Sequence, residues 1–101
     1  VAELTAQAVA AVRTAHALCR RDAALVELAA LLNPAGTLST WAVAGAVADA
    51  LRRFRCTAWP RIRAGHRAPR GAAEAALVAL CEADTPGSAR RLFDLLAELG
   101  L

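Results

Sequence analysis

Proline and glycine punctuate this 101-residue chain in three places: Asn33-Pro34-Ala35-Gly36, the stretch running from Pro60 through Gly65 and Pro69 to Gly71, and Pro86-Gly87. Proline removes a helical hydrogen bond and clashes with the preceding turn, and glycine admits backbone conformations that end helices. Whatever regular structure forms must therefore fit between these breaks. The residues left between them are dominated by alanine, the strongest helix former, with Leu and Val recurring at three- and four-residue steps. Val and Ile are too sparse and too poorly alternated for a sheet. The pattern predicts an all-α fold, a compact antiparallel bundle of five to six helices in a single domain, residues 1–101.

The first helix is expected over residues 2–19, with Leu4, Ala8, Val12, Ala15 and Cys19 as its apolar stripe. Arg20-Arg21 suits the negative pole at its end, and Asp22 reads as the N-cap of a second helix over 23–32 carrying Leu25, Leu28 and Leu32. Ser39 or Thr37 caps the next, which places Trp41, Ala44, Val47 or Ala48, Leu51 and Phe54 on one face. A short helix fits around 59–64. Another is expected over 72–83, using Ala73, Ala76, Leu77, Leu80 and Cys81, and Thr85-Pro86 marks the start of the last, lined by Leu92, Leu95, Leu96 and Leu99.

Charge is unevenly placed. Residues 1–51 carry a net −1, residues 52–70 carry +7, and residues 71–101 carry −3, for a total of +3. The middle segment holds Arg52, Arg53, Arg55, Arg61, Arg63, Arg67 and Arg70 with no acid, interleaved with Phe54, Trp59 and His66. The last segment holds Glu74, Glu82, Asp84, Asp94 and Glu98. Three readings of the basic segment stand side by side: a protein-binding face opposed to the acidic one, a nucleic-acid surface in which Arg and rings meet phosphates and bases, and a solvated loop. The acid-rich flanks favour the protein face. Trp59 can equally serve to pack the loop on the core.

Chemistry finds little support. A metal site would have to gather His16 and Cys19, one helical turn apart, with Cys56, His66 and Cys81, whereas zinc motifs come as close pairs from tight loops. The expectation is that Cys19 and Cys81 are small core residues and that His16 sits at a helix edge. Cys56 with His66 is the only conceivable nucleophile–base pair, and it has no orienting carboxylate in its loop. Lysine is absent, which removes the P-loop signature, and no glycine run matches a dinucleotide fingerprint. A non-enzyme without metal or cofactor is expected. The uncharged run from Leu28 to Ala48 is long enough to raise a membrane span, but Asn33-Pro34-Ala35-Gly36 cuts it, so two helices and a turn explain it better. Three cysteines, an odd number without CxxC spacing, and no signal-like opening make a reducing cytoplasm the expected compartment.

The segment Ala76-Leu77-Val78-Ala79-Leu80-Cys81, followed by Thr85-Pro86-Gly87-Ser88-Ala89-Arg90-Arg91-Leu92-Phe93-Asp94-Leu95-Leu96, resembles the end of the effector-associated domains of bacterial conflict systems. The positions that carry it are Val78, Cys81, Pro86, Gly87, Leu92 and Leu96, and the N-terminal half adds only Arg20-Arg21 before Leu25, Val26 and Leu28. The resemblance implies a death-like helical adaptor, appended to an effector such as a protease or ATPase, that recruits by like-with-like association.

The charge map gives a separate reason for the same expectation, since one copy's basic face could dock on another's acidic face. Adaptor association with itself or with another helical domain, in bacterial signalling or antiphage defence, is the leading expectation. A small helical nucleic-acid-binding regulator using residues 52–70 is the alternative, and an inhibitor that occludes an enzyme is a third, also non-catalytic. None of them calls for a membrane.

Overall fold

A computed structural model describes residues 6–101, and among these every regular element is a helix: α1 (Ala6–Leu32), α2 (Thr40–Cys56), α3 (Ala58–Arg63), α4 (Gly71–Glu82) and α5 (Ala89–Glu98). The Pro/Gly clusters fall where the helices are interrupted, except that Pro60 sits in the first turn of the short α3, where proline is tolerated, and Gly71 opens α4. Among the described residues the helices number five, the lower end of the expected five to six, because the two predicted N-terminal helices are one. Arg20-Arg21-Asp22 contains no residue that breaks a helix, and the Asp22 carboxylate accepts from Nε and Nη2 of its neighbour Arg21 at 3.1 and 2.9 Å instead of capping a new start. The alanines on either side carry the helix through.

The core is built from the second half of α1 (Ala24, Leu25, Leu28, Ala29), the inner face of α2 (Val43, Ala44, Val47, Leu51, Phe54), Ala76, Leu77 and Leu80 of α4, and Leu92 and Leu96 of α5. Each fully buried Leu contributes about 1.5–3 kcal/mol relative to exposure. Helix α2 is the central member, packing against α1, α3, α4 and α5, while α1 lies along both α2 and α4. Trp41, expected on the inner face of α2, is instead 54% exposed and meets Phe93 edge-on, ring centroids 5.6 Å apart. It sits in the first turn of α2, where this edge contact with α5 leaves more than half of its surface open.

Among the described residues of α1, none before Ala24 is fully buried. At about 1.5 Å per residue the helix is about 40 Å long, and the molecule measures 53 × 35 × 21 Å with a radius of gyration of 15.1 Å, against about 13 Å for a compact chain of this length. Of the predicted first stripe, Leu4 lies outside the described residues, Ala8 is half-buried, and Val12, Ala15 and Cys19 are exposed. The face that turns inward is one step round, where Arg13, Ala17 and Arg20 border a groove with Ala79 and Glu82 of α4. Arg20 reaches Glu82 at 3.4 Å there. Cys19 is thus a surface residue and not a core one, whereas Cys81 is half-buried.

Helix ends follow from local chemistry. Ser39 caps α2, its Oγ accepting from Ala42 N at 3.1 Å, and Asn33 Oδ1 accepts from Leu38 N at 3.1 Å to hold the preceding turn. The cap of α5 is Ser88, accepting from Arg91 N at 3.2 Å, and not Thr85. Thr85 is committed elsewhere: its N–H donates to Leu80 O at 3.1 Å and Asp84 N donates to Cys81 O, closing α4 in a Schellman motif with Asp84 at φ 53°. The same motif ends α3 with Gly65 at φ 80°, His66 N donating to Arg61 O at 2.9 Å. No described helix is long and apolar enough to cross a membrane.

Candidate interaction surface

The seven arginines of residues 52–70 divide into two groups once their partners are traced. Arg52 pairs with Asp49 at 2.8 Å on the exposed side of α2, and Arg53 Nε donates to Asp49 O at 3.4 Å. Arg55 leaves the surface: its guanidinium donates to the Thr85 carbonyl oxygen, and Nη1 lies 3.0 Å from where a Cβ on Gly87 would stand. It also approaches Cys81, whose thiol is nonetheless held above its ordinary pKa because burial outweighs the favourable contact with Arg55. Arg55 is therefore a clamp between α2 and the α4–α5 turn.

Arg67 is committed too. Its Nη1 and Nη2 donate to the two Glu74 oxygens, each at 2.9 Å, and Glu74 Oε1 also accepts from Arg70 N at 2.8 Å. This fork-to-fork pair ties the loop before α4 onto its first turn and reproduces one arm of a capping box, a carboxylate reaching back to the residue before the helix. The hydrogen bonds from Arg67 and Arg70 hold the Glu74 carboxyl below its usual pKa, and the Glu74 bond raises that of Arg67. Arg61, Arg63 and Arg70 remain, exposed and without an ion pair to any described residue.

The rings among these arginines face inward. Phe54 is buried, and Trp59 is half-buried against it with centroids 6.4 Å apart and planes 29° apart. Only His66 stands exposed beside Arg61, Arg67 and Arg70, bordering a 630 Å³ concavity closed by Ala68 and Pro69. Arg61, Arg67, Arg70 and Glu74 also border an adjoining 460 Å³ hollow.

Three of the five acidic residues of the last segment are already paired within the chain. Glu74 belongs to the basic loop, Glu82 faces Arg20, and Asp94 lies 3.7 Å from Arg90 one turn earlier on α5. Asp84 and Glu98 are exposed and form no ion pair with a described residue.

Charge patterning gave no hint of an apolar groove on another side of the bundle. Val26 and Ala30 of α1, Leu38 from the α1–α2 turn and Leu101 rim a 190 Å³ hollow floored by Val43 and Leu96. Val26, Leu38 and Leu101 keep 42%, 46% and 42% of their surface exposed, and Thr40 Oγ1 donates to Leu101 O at 2.6 Å across the rim. The signal for it is legible only in part: Val26 and Leu38 fall off the predicted inner stripes, whereas Leu101 is brought to α2 by the fold.

His16, Cys19 and Cys56 are exposed, and the described residues contain no group of three or more His, Cys, Asp or Glu arranged to hold a metal. No protein-family model, curated protein or solved structure matches this chain.

Proposed function

We propose that this domain is a non-catalytic protein–protein interaction module, a death-like adaptor acting in the cytoplasm of a bacterium, in signalling or antiphage defence, by association with another helical domain or a second copy of itself. The observation that carries the reading is the sorting of surface left unmatched within the chain. Arg61, Arg63 and Arg70 lie unpaired around the α3–α4 loop, while the apolar groove lies between α1, α2 and α5, helices that also bear the exposed acids Glu27 and Glu98. Exposed apolar surface of this kind is a common mark of an interface. Two separate surfaces of different character suit a heterologous, head-to-tail contact that can propagate from one copy to the next. A single-stranded nucleic acid would gain little stacking here, because Phe54 and Trp59 are spent on each other.

Light scattering of the purified domain at low and high salt, with and without nucleic acid, tests the reading. Salt-sensitive self-association without nucleic acid, abolished by reversing Arg61 and Arg63 to Glu, is the expected result. A monomer whose mass changes only on adding nucleic acid, with an affinity falling steeply as salt rises, would move the assignment to a nucleic-acid-binding regulator.

A further inference from the structure

Among the described residues no acid borders the 630 Å³ hollow at the α3–α4 loop, and Glu74, which borders the adjoining one, is already occupied. Both oxygens accept from Arg67, and Oε1 takes the Arg70 N–H as well. The consequence is a positional one. Arg67 and Glu74 fix the loop in a bidentate pair, so Arg61 and Arg70, which border both hollows, are left without a side-chain ion pair to a described residue, Arg70 feeling Glu74 only through space, and both are held by a braced backbone. Bracing comes from three sides: the Arg70 N–H is bound to Glu74, His66 N is bound to Arg61 O, and Gly65 and Pro69 set the turn between them. His66 adds an imidazole donor at the rim.

We propose that the hollow bordered by Arg61, His66 and Arg70 binds a phosphoryl group. The choice of ligand follows from counting donors and charge. A carboxylate carries one charge and satisfies one guanidinium fork, leaving the second cation without a partner. A phosphate carries close to two charges near neutral pH and has three oxygens to share between two forks and an imidazole. At 630 Å³ the open hollow admits a phosphate group together with what it is attached to. The site needs no copy of the domain to complete it, so it stands or falls apart from the adaptor reading.

The test is amide chemical-shift titration of the whole domain with inorganic phosphate, with pyrophosphate, and with a short neutral peptide carrying one phosphoserine, each against sodium acetate at matched ionic strength. Saturable shifts confined to Gly65, His66, Arg70 and Gly71 are expected with the phosphorylated probes. Inorganic phosphate and pyrophosphate binding best would mark a free phosphate compound as the source. The peptide binding best would mark a modified protein. Arg61→Gln and Arg70→Gln should each weaken binding about tenfold, with Arg63→Gln, outside the hollow, unchanged; thermal melts confirm that all three variants fold. Shifts equal to those of acetate, shifts spread to Arg52 and Arg53, or full affinity in Arg61→Gln would each overturn the proposal.

Discussion

Replacing Arg55 by Met tests whether this arginine is a clamp or a contact for partners. Met keeps most of the apolar stem and removes the guanidinium, so the Thr85 carbonyl loses its donor. A hydrogen bond from a charged donor to a carbonyl of a buried residue is worth about 1.5–3 kcal/mol, and Thr85 is 2% exposed, so a loss of about 2 kcal/mol is expected. With a urea slope of about 1 kcal/mol/M for a domain of this size, the unfolding midpoint should fall by about 2 M. A companion substitution, Gly87→Ala, places a Cβ 3.0 Å from Arg55 Nη1. Gly87 has no positive φ, so the backbone accepts alanine, and its cost comes from displacing the guanidinium. In the Arg55→Met background that cost should vanish, giving a double-mutant coupling close to the whole penalty of Gly87→Ala. Circular dichroism against urea for the four proteins reads both numbers. A midpoint for Arg55→Met within 0.5 M of the parent, roughly 0.5 kcal/mol on the same slope, or a Gly87→Ala penalty that is the same in both backgrounds, would refute the clamp.

Three further outcomes are expected. Thr85 Oγ1 is buried with no hydrogen-bond partner among the described residues, so Thr85→Val should leave stability unchanged or raise it by about 1 kcal/mol, read as a higher urea midpoint. Asp84 occupies the left-handed region at φ 53°, and Asp84→Gly should raise stability by about 0.5 kcal/mol through relief of that conformation, whereas Asp84→Val should lower it, both read as shifts of the urea midpoint. Glu74 is held below its usual carboxyl pKa by Arg67 and the Arg70 N–H. Its stabilising contribution is complete above the ordinary glutamate range, near about 4.3, and is lost as pH falls through the depressed folded value, because the unfolded chain then binds the proton more readily. Urea midpoints for the parent against Glu74→Gln from pH 7 to pH 2 should converge across that window, and parallel curves would contradict the pairing.

The breaks in the chain were legible because their cause is local: Pro34, Gly36, Gly65, Pro69 and Pro86 act on their own backbone wherever the rest of the molecule lies, while Pro60 is absorbed into the first turn of α3. The junction at Arg20-Arg21-Asp22 misled for the converse reason, since Asp is a favoured cap only when a helix actually ends, and here the flanking alanines and the Arg21 side chain keep it going. Thr85 misled because its backbone was claimed by the end of α4 before it could open α5. The charge map located the basic segment in sequence but could not separate its members. Arg55 and Arg67 look no different from Arg61 and Arg63 along the chain, and only the fold brings Thr85 and Glu74 to the first pair. The apolar groove needed the return of Leu101 to α2, a contact across 61 positions of sequence.

Helix α1 joins two mechanical regimes in one continuous element. Its second half is clasped between α2 and α4, whose side chains leave Leu25 and Leu28 with no more than 1% exposure, so its amides can exchange with solvent only when the whole bundle opens. The first turns have no such roof, and a helix segment that short is marginal in water by itself. Exchange protection should therefore climb steeply along a single rod from Ala6 towards Ala24. A ligand gripping the outer turns would slow exchange at its own contacts and, by continuity of the helix, tighten the hold on the core beneath.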